Sequence, residues 1–481
     1  MYQKWYRKTT HISWHIAVLS FGVLCGIGLS AVMSHDFSGT EFLVLAGILI
    51  FACLVRRRSV LFVCALIAGC LFGLWRGDTR LNQLVVYEQY VGREVSLNGI
   101  VSEDATITQK GEQRIRLSNI RINAEPLEGT VWMSTIADHD IKRGDHLTAT
   151  SKLNEGFGTF SAAMFHANIT AIERPYPGDV GRRIRDGFTD QVRETIPEPQ
   201  VSLAAGYLTG QKNALPETLS DQLRTVGLTH VVVASGYNLT ILVQFARRLL
   251  AERSKYLAVF SSSLLIASFI LITGFSPSMS RAGLVAGLGL LAWYYGRTIH
   301  PLVLLPFAAA VTALIEPSYV WGDIGWYLSF AAFAGVLIFA PLITRFLWSA
   351  EPGLLKRLIV ETLSAQLLTL PLIIYTFSQY SPYALLANIL VLPLVPLVMV
   401  LTFLTGISNL IFPFIGSLMS LPCILLLKYM TTVVEGVASL PGARSEIEAS
   451  LAISLLGYAV LVAVCIVLWR ITNYNFRSKD T

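Results

Sequence analysis

ISWHIAVLSFGVLCGIGLSAVM, residues 12 to 33, runs without a single charged side chain. The hydrocarbon core of a bilayer takes about 20 apolar residues per spanning helix, so this stretch is long enough to cross it. It is long for the apolar region of a cleavable leader, and the small-residue site that should follow one is poorly formed. We read it as a retained helix. Stretches of the same kind recur along most of the chain. The 481 residues are 53% hydrophobic and 14% charged, with a mean hydropathy of +0.57, far from the composition of soluble globular domains. The class this implies is a polytopic α-helical membrane protein. Further spans are expected near residues 42 to 55 and 59 to 75, with Arg56, Arg57 and Arg58 in the tight turn between them. Cytoplasmic loops carry the excess of Lys and Arg, so that turn is placed inside, as is the N-terminus with Lys4, Arg7 and Lys8. The third span then delivers residues 77 onward to the outer side.

From about 88 to 174 the pattern changes. REVSLNGIVSED (93–104), QRIRLSNIRIN (113–123), GTVWMSTIA (129–137), KRGDHLTATSKL (142–153) and FHANITAIER (165–174) are short alternating or β-branched runs separated by turn residues. Five strands in so short a segment fit an inserted extracytoplasmic small β-barrel of OB-like type. One reading is a folded loop domain with no binding role. The other is a strand face on which Arg114, Arg116 and Arg121 touch a nucleic-acid backbone.

In GDVGRRIRDGFTDQVRETIPEP (178–199), Val180, Ile184, Phe188, Val192 and Ile196 recur about every fourth residue, with charge on the other face. This predicts an amphipathic helix lying on the outer leaflet. From Val201 on, about eight to ten further membrane segments are expected. Arg247, Arg248, Arg253 and Lys255, then Arg297, then Arg345, Lys356 and Arg357 mark turns that all fall where a cytoplasmic turn is due; the tail from Arg470 to Lys479 also ends inside. The expected organisation is therefore 1–76 N-terminal helices, 77–175 barrel, 176–199 interfacial helix, 200–472 membrane domain and 473–481 cytoplasmic tail. Cys25, Cys53, Cys64, Cys70, Cys423 and Cys465 all fall within predicted spans and lack metal-ligand spacing, so they read as packing residues, and neither metal nor cofactor is expected.

Polar groups inside spans are costly and normally face a bundle interior or a hydrated path. THVVVASGYNLTILV (229–243) carries His230, Ser235 and Asn238, and Gly236 interrupts it. Ser235 and Asn238 are three apart, on one helical face. They either glue two helices together or line a kinked, substrate-facing segment. In GFSPSMSRAGLVAGLGLLAWYYGR (274–297), Ser276 and Pro277 read as the cap and first residue of a helix, beside Ser278, Ser280 and Arg281. A cation at a helix N-terminus opposes the macrodipole and is favoured where a carboxylate or a visiting anion neutralises it. Asp323 is the candidate carboxylate; a phosphate is the alternative. ETLSAQLLTLPLIIYTFSQYSPYALLANILVLPLVPL (361–397) adds Gln366, Thr369, Gln379 and Asn388 among Pro371, Pro393 and Pro396.

These stretches, with DIGWYLSFAAFAGVL (323–337), occur in the order and approximate spacing of the competence region of the ComEC DNA-uptake channel family, which the chain resembles over nearly its whole length. The resemblance implies a channel carrying single-stranded DNA across the cytoplasmic membrane in natural transformation. It also implies a separate nuclease, an outer DNA receptor and a cytoplasmic ATPase as partners. By motif match, His230, Ser235 and Gly236 fall on the family's His-to-Ser-Gly stretch; Ser276, Ser278 and Arg281 on its Ser-Pro-Ser and Arg-Ala element; and Asp323, Gly325, Ser329 and Phe330 on its Gly-to-Leu-Ser-Phe segment. Asn388 and Pro393 fall on its Asn-to-Pro segment. Asn238 stands where the family commonly has a second His, the outer-domain cysteine pair of some relatives has no counterpart, and the metallo-β-lactamase-like domain of many relatives is not expected here.

Two rival classes weigh against a channel. An intramembrane hydrolase using Ser235 with His230 finds no G-x-S-x-G elbow, and a five-residue separation puts the two on divergent faces. A secondary transporter of a small solute calls for inverted repeats or membrane-embedded acids, and neither is evident. No nucleotide-binding motif occurs, so the energy source is expected elsewhere, and the chain is expected not to be an enzyme.

Overall fold

A computed structural model describes residues 11–476 except 34–42, 51–60, 109–110, 137, 212–214, 233–235, 275, 298 and 349–351. The expected second span and its Arg56–Arg58 turn fall largely outside the described residues; 43–50 are helical.

Two helices come first, α1 (Ile12–Ser30) and α2 (Leu61–Glu88). Strands follow: β1 (Glu94–Val101), β2 (Thr106–Ile107), β3 (Glu112–Ile122), β4 (Glu125–Leu127), β5 (Val131–Ile136), β6 (His146–Glu155), β7 (Ala162–Met164) and β8 (Asn168–Glu173). The rest is mainly helical: α3 (Val180–Arg193), α4 (Gln200–Thr209), α5 (Glu217–Thr225), α6 (Thr229–Val232), α7 (Gly236–Ala251), α8 (Lys255–Thr273), α9 (Pro277–Tyr294), α10 (Pro301–Ile315), α11 (Ser318–Gly322), α12 (Ile324–Ala334), α13 (Ala340–Leu347), α14 (Leu354–Phe377), α15 (Ala384–Val391), α16 (Val395–Ile411), α17 (Pro413–Ala438) and α18 (Leu451–Thr472). Among the described residues, eight helical segments are long and apolar enough to cross a membrane, two before the barrel and six after it. The protein is thus a polytopic helical membrane protein with an inserted β-barrel. It divides into two compact units, Met1–Gly178 with Ile299–Phe330, and Asp179–Thr298 with Ala331–Thr481.

In the first unit, α1 and α2 pack backbone to backbone. A Cβ at Gly22 or Gly26 would run into the main chain of α2, and one at Gly69 or Gly73 into that of α1; small residues four apart are what lets membrane helices approach this closely. The expected third span ended near residue 75, but α2 continues to Glu88 and reaches about 42 Å at 1.5 Å per residue. Nothing between Arg76 and Glu88 breaks a helix, so the chain leaves the apolar stretch still helical. Its last turn carries Tyr87, 2% exposed, into the barrel core. On the way out, Arg76 donates from Nε to the Leu314 carbonyl at 2.8 Å and from Nη2 to that of Ile315 at 3.0 Å, and Arg80 pairs with Glu316 at 3.0 Å. These bonds fasten α2 to the end of α10.

The barrel closes through β1-β3-β5-β7-β6, with β6 returning to β1; β5 and β7 run parallel and the other neighbours antiparallel. Four of the five expected strands take part. The fifth, Asn168–Glu173, pairs outside on β6, and the closing strand is the short Ala162–Met164. Three residues give almost no alternation to read, which is why the sequence hides it. Leu97, Leu117, Ile122, Val131, Met133, Ala149, Leu153 and Met164 fill the interior. Asp145, fully buried, accepts both Arg174 Nε (2.9 Å) and Nη2 (2.8 Å) and the Lys142 N–H (2.9 Å), tying β8's exit to the start of β6. Those bonds push the Arg174 pKa above its already high value.

The second unit buries a core that includes Val192, Ile196, Leu203, Tyr207, Leu239 and Met430. The four-residue periodicity of 180–196 does become a helix, α3, but its burial is uneven. Val192 and Ile196 are 2% and 1% exposed, whereas Val180 and Ile184 lie open at 48% and 54%. On the charged face Arg182 and Arg185 are buried, and Arg185 Nη2 meets Asp186 at 2.9 Å. Asn409 of α16 donates to the Gln191 carbonyl at 2.7 Å and holds α3 in the bundle.

Candidate functional site

The polar stretches read from the sequence meet in the second unit at helix ends and glycines. α6 ends at Val232 and α7 begins at Gly236; Ser235 lies outside the described residues. Gly236 is the first described residue of α7. A Cβ there would sit 2.9 Å from the Cβ of Ala282 in α9 and 3.9 Å from the ring of Phe333. That one position joins three of the four motif stretches. The fourth joins through Gly335, where a Cβ would come 2.6 Å from the Ser364 carbonyl and 2.8 Å from the Ala365 Cα of α14. Gly335 opens a π-helical turn, Gly335–Phe339, between α12 and α13. Such turns widen a helix locally and recur at functional sites. Sequence reasoning missed this turn and Ala282; the only signal was a small residue in each motif.

Asn238 is fully buried and donates from Nδ2 to the Tyr207 carbonyl of α4 at 3.0 Å, so its amide ties α7 to α4. Of the two readings of this polar pair, Asn238 takes the gluing one. His230 is exposed on α6. Ser276 caps α9, its Oγ accepting the Met279 N–H at 3.4 Å, with Pro277 in the first turn as expected. Ser278 is exposed, while Arg281 is only 3% exposed and immediately precedes the Ala282 contact. Gln366 is half-buried on α14.

Asn388 differs from the others. It is 1% exposed on α15, and among the described residues neither its Nδ2 nor its Oδ1 has a hydrogen-bond partner. The Ser364 hydroxyl on α14 and that of Thr405 on α16, both fully buried, share this condition. A buried amide without partners costs about 1–3 kcal/mol, so such a residue is retained for something other than packing.

In the first unit, Asp323 spends Oδ1 on the Trp326 N–H at 2.9 Å and so caps α12; Ser329 is half-buried one turn further on. Asp323 and Arg281, the expected pair, fall in different units. The three barrel arginines do not share one surface. Arg114 and Arg116 point outward from β3, Arg116 to Glu103 at 3.3 Å and to Thr159 at 3.3 Å. A register shift opposite Asn98–Ile100, with Asn119 at φ 51°, then reverses the parity of the strand. Arg121 is outward only because of that bulge, and it lines a different place, a cavity of about 600 Å³ shared with Arg76, Arg80, Gln83, Glu128 and Glu316. Among the described residues no three His, Cys, Asp or Glu side chains are grouped to hold a metal ion.

No solved structure matches the chain. ComE operon protein 3 of Bacillus subtilis (strain 168) is 22% identical over 204 residues, which is 41% of this chain and 25% of that protein. The chain thus spans about a quarter of the length of this curated relative. The family described as Competence protein matches residues 207–471, the region in which the four motif stretches meet. That match covers more than half of the chain, and the chain belongs to the Competence protein family.

Proposed function

We propose that the protein is a channel that passes single-stranded DNA across the cytoplasmic membrane during natural transformation. Its termini are cytoplasmic and its barrel extracytoplasmic, because the basic turns fall on one side. A polyanion crossing hydrocarbon needs a wall that replaces its hydration with dipoles without gripping it. The observation that carries this reading is Asn388: a buried amide on an apolar helix with neither polar atom partnered among the described residues. Ser364 and Thr405 add hydroxyls of the same kind, and His230, Ser235, Ser276, Ser278, Arg281, Asp323, Ser329 and Gln366 are proposed as further path residues. Asn238 and Gly236 act in this reading by holding α7 against α4 and α9. Arg121, exposed at the cavity beside the barrel, offers a cation to a backbone phosphate. A separate nuclease, an outer DNA receptor and a cytoplasmic ATPase complete the proposed pathway.

The test is Asn388→Leu, measured for transformation frequency, membrane abundance and thermal stability together. Replacing an unsatisfied buried amide by an apolar side chain of similar size is neutral or stabilising. Transformation should therefore fall sharply while abundance and melting temperature hold or rise. Loss of protein in parallel with loss of transformation would make Asn388 a structural residue and remove the support.

A further inference from the structure

Most of the aromatic side chains of the barrel stand outside its core, on one side. Trp132 of β5 lies with its ring centroid 5.5 Å from that of Phe157 and 5.1 Å from that of Phe165, and Phe157 is 5.4 Å from Phe160. Two guanidinium groups lie over these rings, Arg114 at 6.0 Å from Trp132 and Arg116 at 4.9 Å from Phe160. Phe157 and Phe165 are 48% and 45% exposed, a cost in water that a soluble surface normally avoids.

The position of this patch identifies its occupant. Gly158, next to Phe157, lies against Gly322 of α11: a Cβ on Gly322 would be 3.5 Å from the Gly158 Cα, an ordinary van der Waals contact. The preceding residue, Trp321, donates from Nε1 to the Ile27 carbonyl at 2.7 Å, in the last turn of the spanning helix α1. The aromatic loop is therefore held at the level where a membrane helix ends. Aromatic rings with an apolar body, flanked by guanidinium groups, are the composition found at that level, the rings in the upper acyl region and the cations on lipid phosphates.

We propose that the barrel rests on the lipid headgroup layer through Trp132, Phe157, Phe160 and Phe165, with Arg114 and Arg116 facing lipid phosphates. A nucleic-acid occupant is less well served: Arg116 is already met by Glu103 and Thr159, and the exposed rings sit at the membrane end of the domain. The inference holds whatever solute crosses the bundle. It assigns two of the three outward arginines of β3 to the bilayer and leaves Arg121 to the cavity.

The experiment uses the full chain in nanodiscs of phosphatidylcholine and phosphatidylglycerol, with benzoylphenylalanine incorporated singly at position 157, 165 or 136. Ile136, 70% exposed at the far end of β5 from Trp132, is the control. Irradiation should give phospholipid adducts at 157 and 165 several-fold above those at 136, unchanged by excess single-stranded oligonucleotide. Lipid adducts no higher than at 136 would overturn the proposal. So would adducts at 157 and 165 to oligonucleotide in place of lipid, which would make the patch a nucleic-acid platform.

Discussion

Gly236→Ala places a methyl group 2.9 Å from the Cβ of Ala282, where carbon atoms prefer about 3.5–4.0 Å. The neighbour is a helix rather than the tip of a flexible side chain, so α7 and α9 must separate by about half an ångström or more. Overpacking of this size costs about 1–3 kcal/mol. Alanine's better helix propensity returns at most about 1 kcal/mol of that. The net expectation is a loss of about 1–2 kcal/mol. For a body of this size that is a fall of roughly 2–4 °C per kcal/mol in melting temperature. Ala282→Gly should relieve the contact: in a double-mutant cycle followed by thermal unfolding in nanodiscs, the pair should show a favourable coupling of about 1–2 kcal/mol. Transformation should fall in Gly236→Ala and recover in the double mutant. A single mutant as stable as the parent, or a double mutant no better than the sum of its parts, would refute the close approach and with it the meeting of three motifs at this residue.

Arg281→Ala should lower DNA entry with membrane abundance near normal, whereas Asp323→Ala, which removes the cap of α12, should cost about 1 kcal/mol and lower abundance first; equal protein loss in immunoblots of both would make Arg281 structural. Asp145→Asn should loosen the barrel by about 1–2 kcal/mol, because it leaves the Lys142 N–H and the half-exposed Arg174 facing a neutral amide at the buried Asp145 position, and hydrogen exchange along β6 and β8 of the full chain would read it. The Arg174 pKa is raised further above its already high value, so the guanidinium stays charged on the alkaline side and the loss should not fade as pH rises through the working range.

The parts of this fold that the sequence discloses are those that depend on local period. The alternation of Gln113, Ile115 and Leu117 with Arg114 and Arg116 gives β3 its two faces, and the burial of those residues follows it. Ser276-Pro277 announces the start of α9 because a cap and a fixed φ act within one turn. The spacing of Gly22 with Gly26, and of Gly69 with Gly73, is likewise a local signal, the one by which membrane helices pair closely. What stays hidden depends on residues far apart in the chain or on a single inserted residue. The bulge at Asn119 changes which of β3's arginines share a surface, and no composition rule marks it.

The candidate site shows the same division. Gly236 can be recognised from sequence as an interruption, but an interruption and a contact point look identical until Ala282 is opposite it. Asn238 and Asn388 are the same side chain in equally apolar surroundings, and nothing local separates them. One has the Tyr207 carbonyl within 3.0 Å; the other has no partner for either polar atom among the described residues. Hydrogen-bond satisfaction is a property of the assembled bundle, so the residue that glues and the residue proposed to line a path are told apart only in three dimensions. That difference also sets the sign of the mutational test. Removing the Asn238 amide strands the Tyr207 carbonyl and should destabilise, whereas removing the Asn388 amide strands nothing. If both asparagines answered a change to leucine in the same way, the distinction between glue and wall would fail at the two residues where it is sharpest.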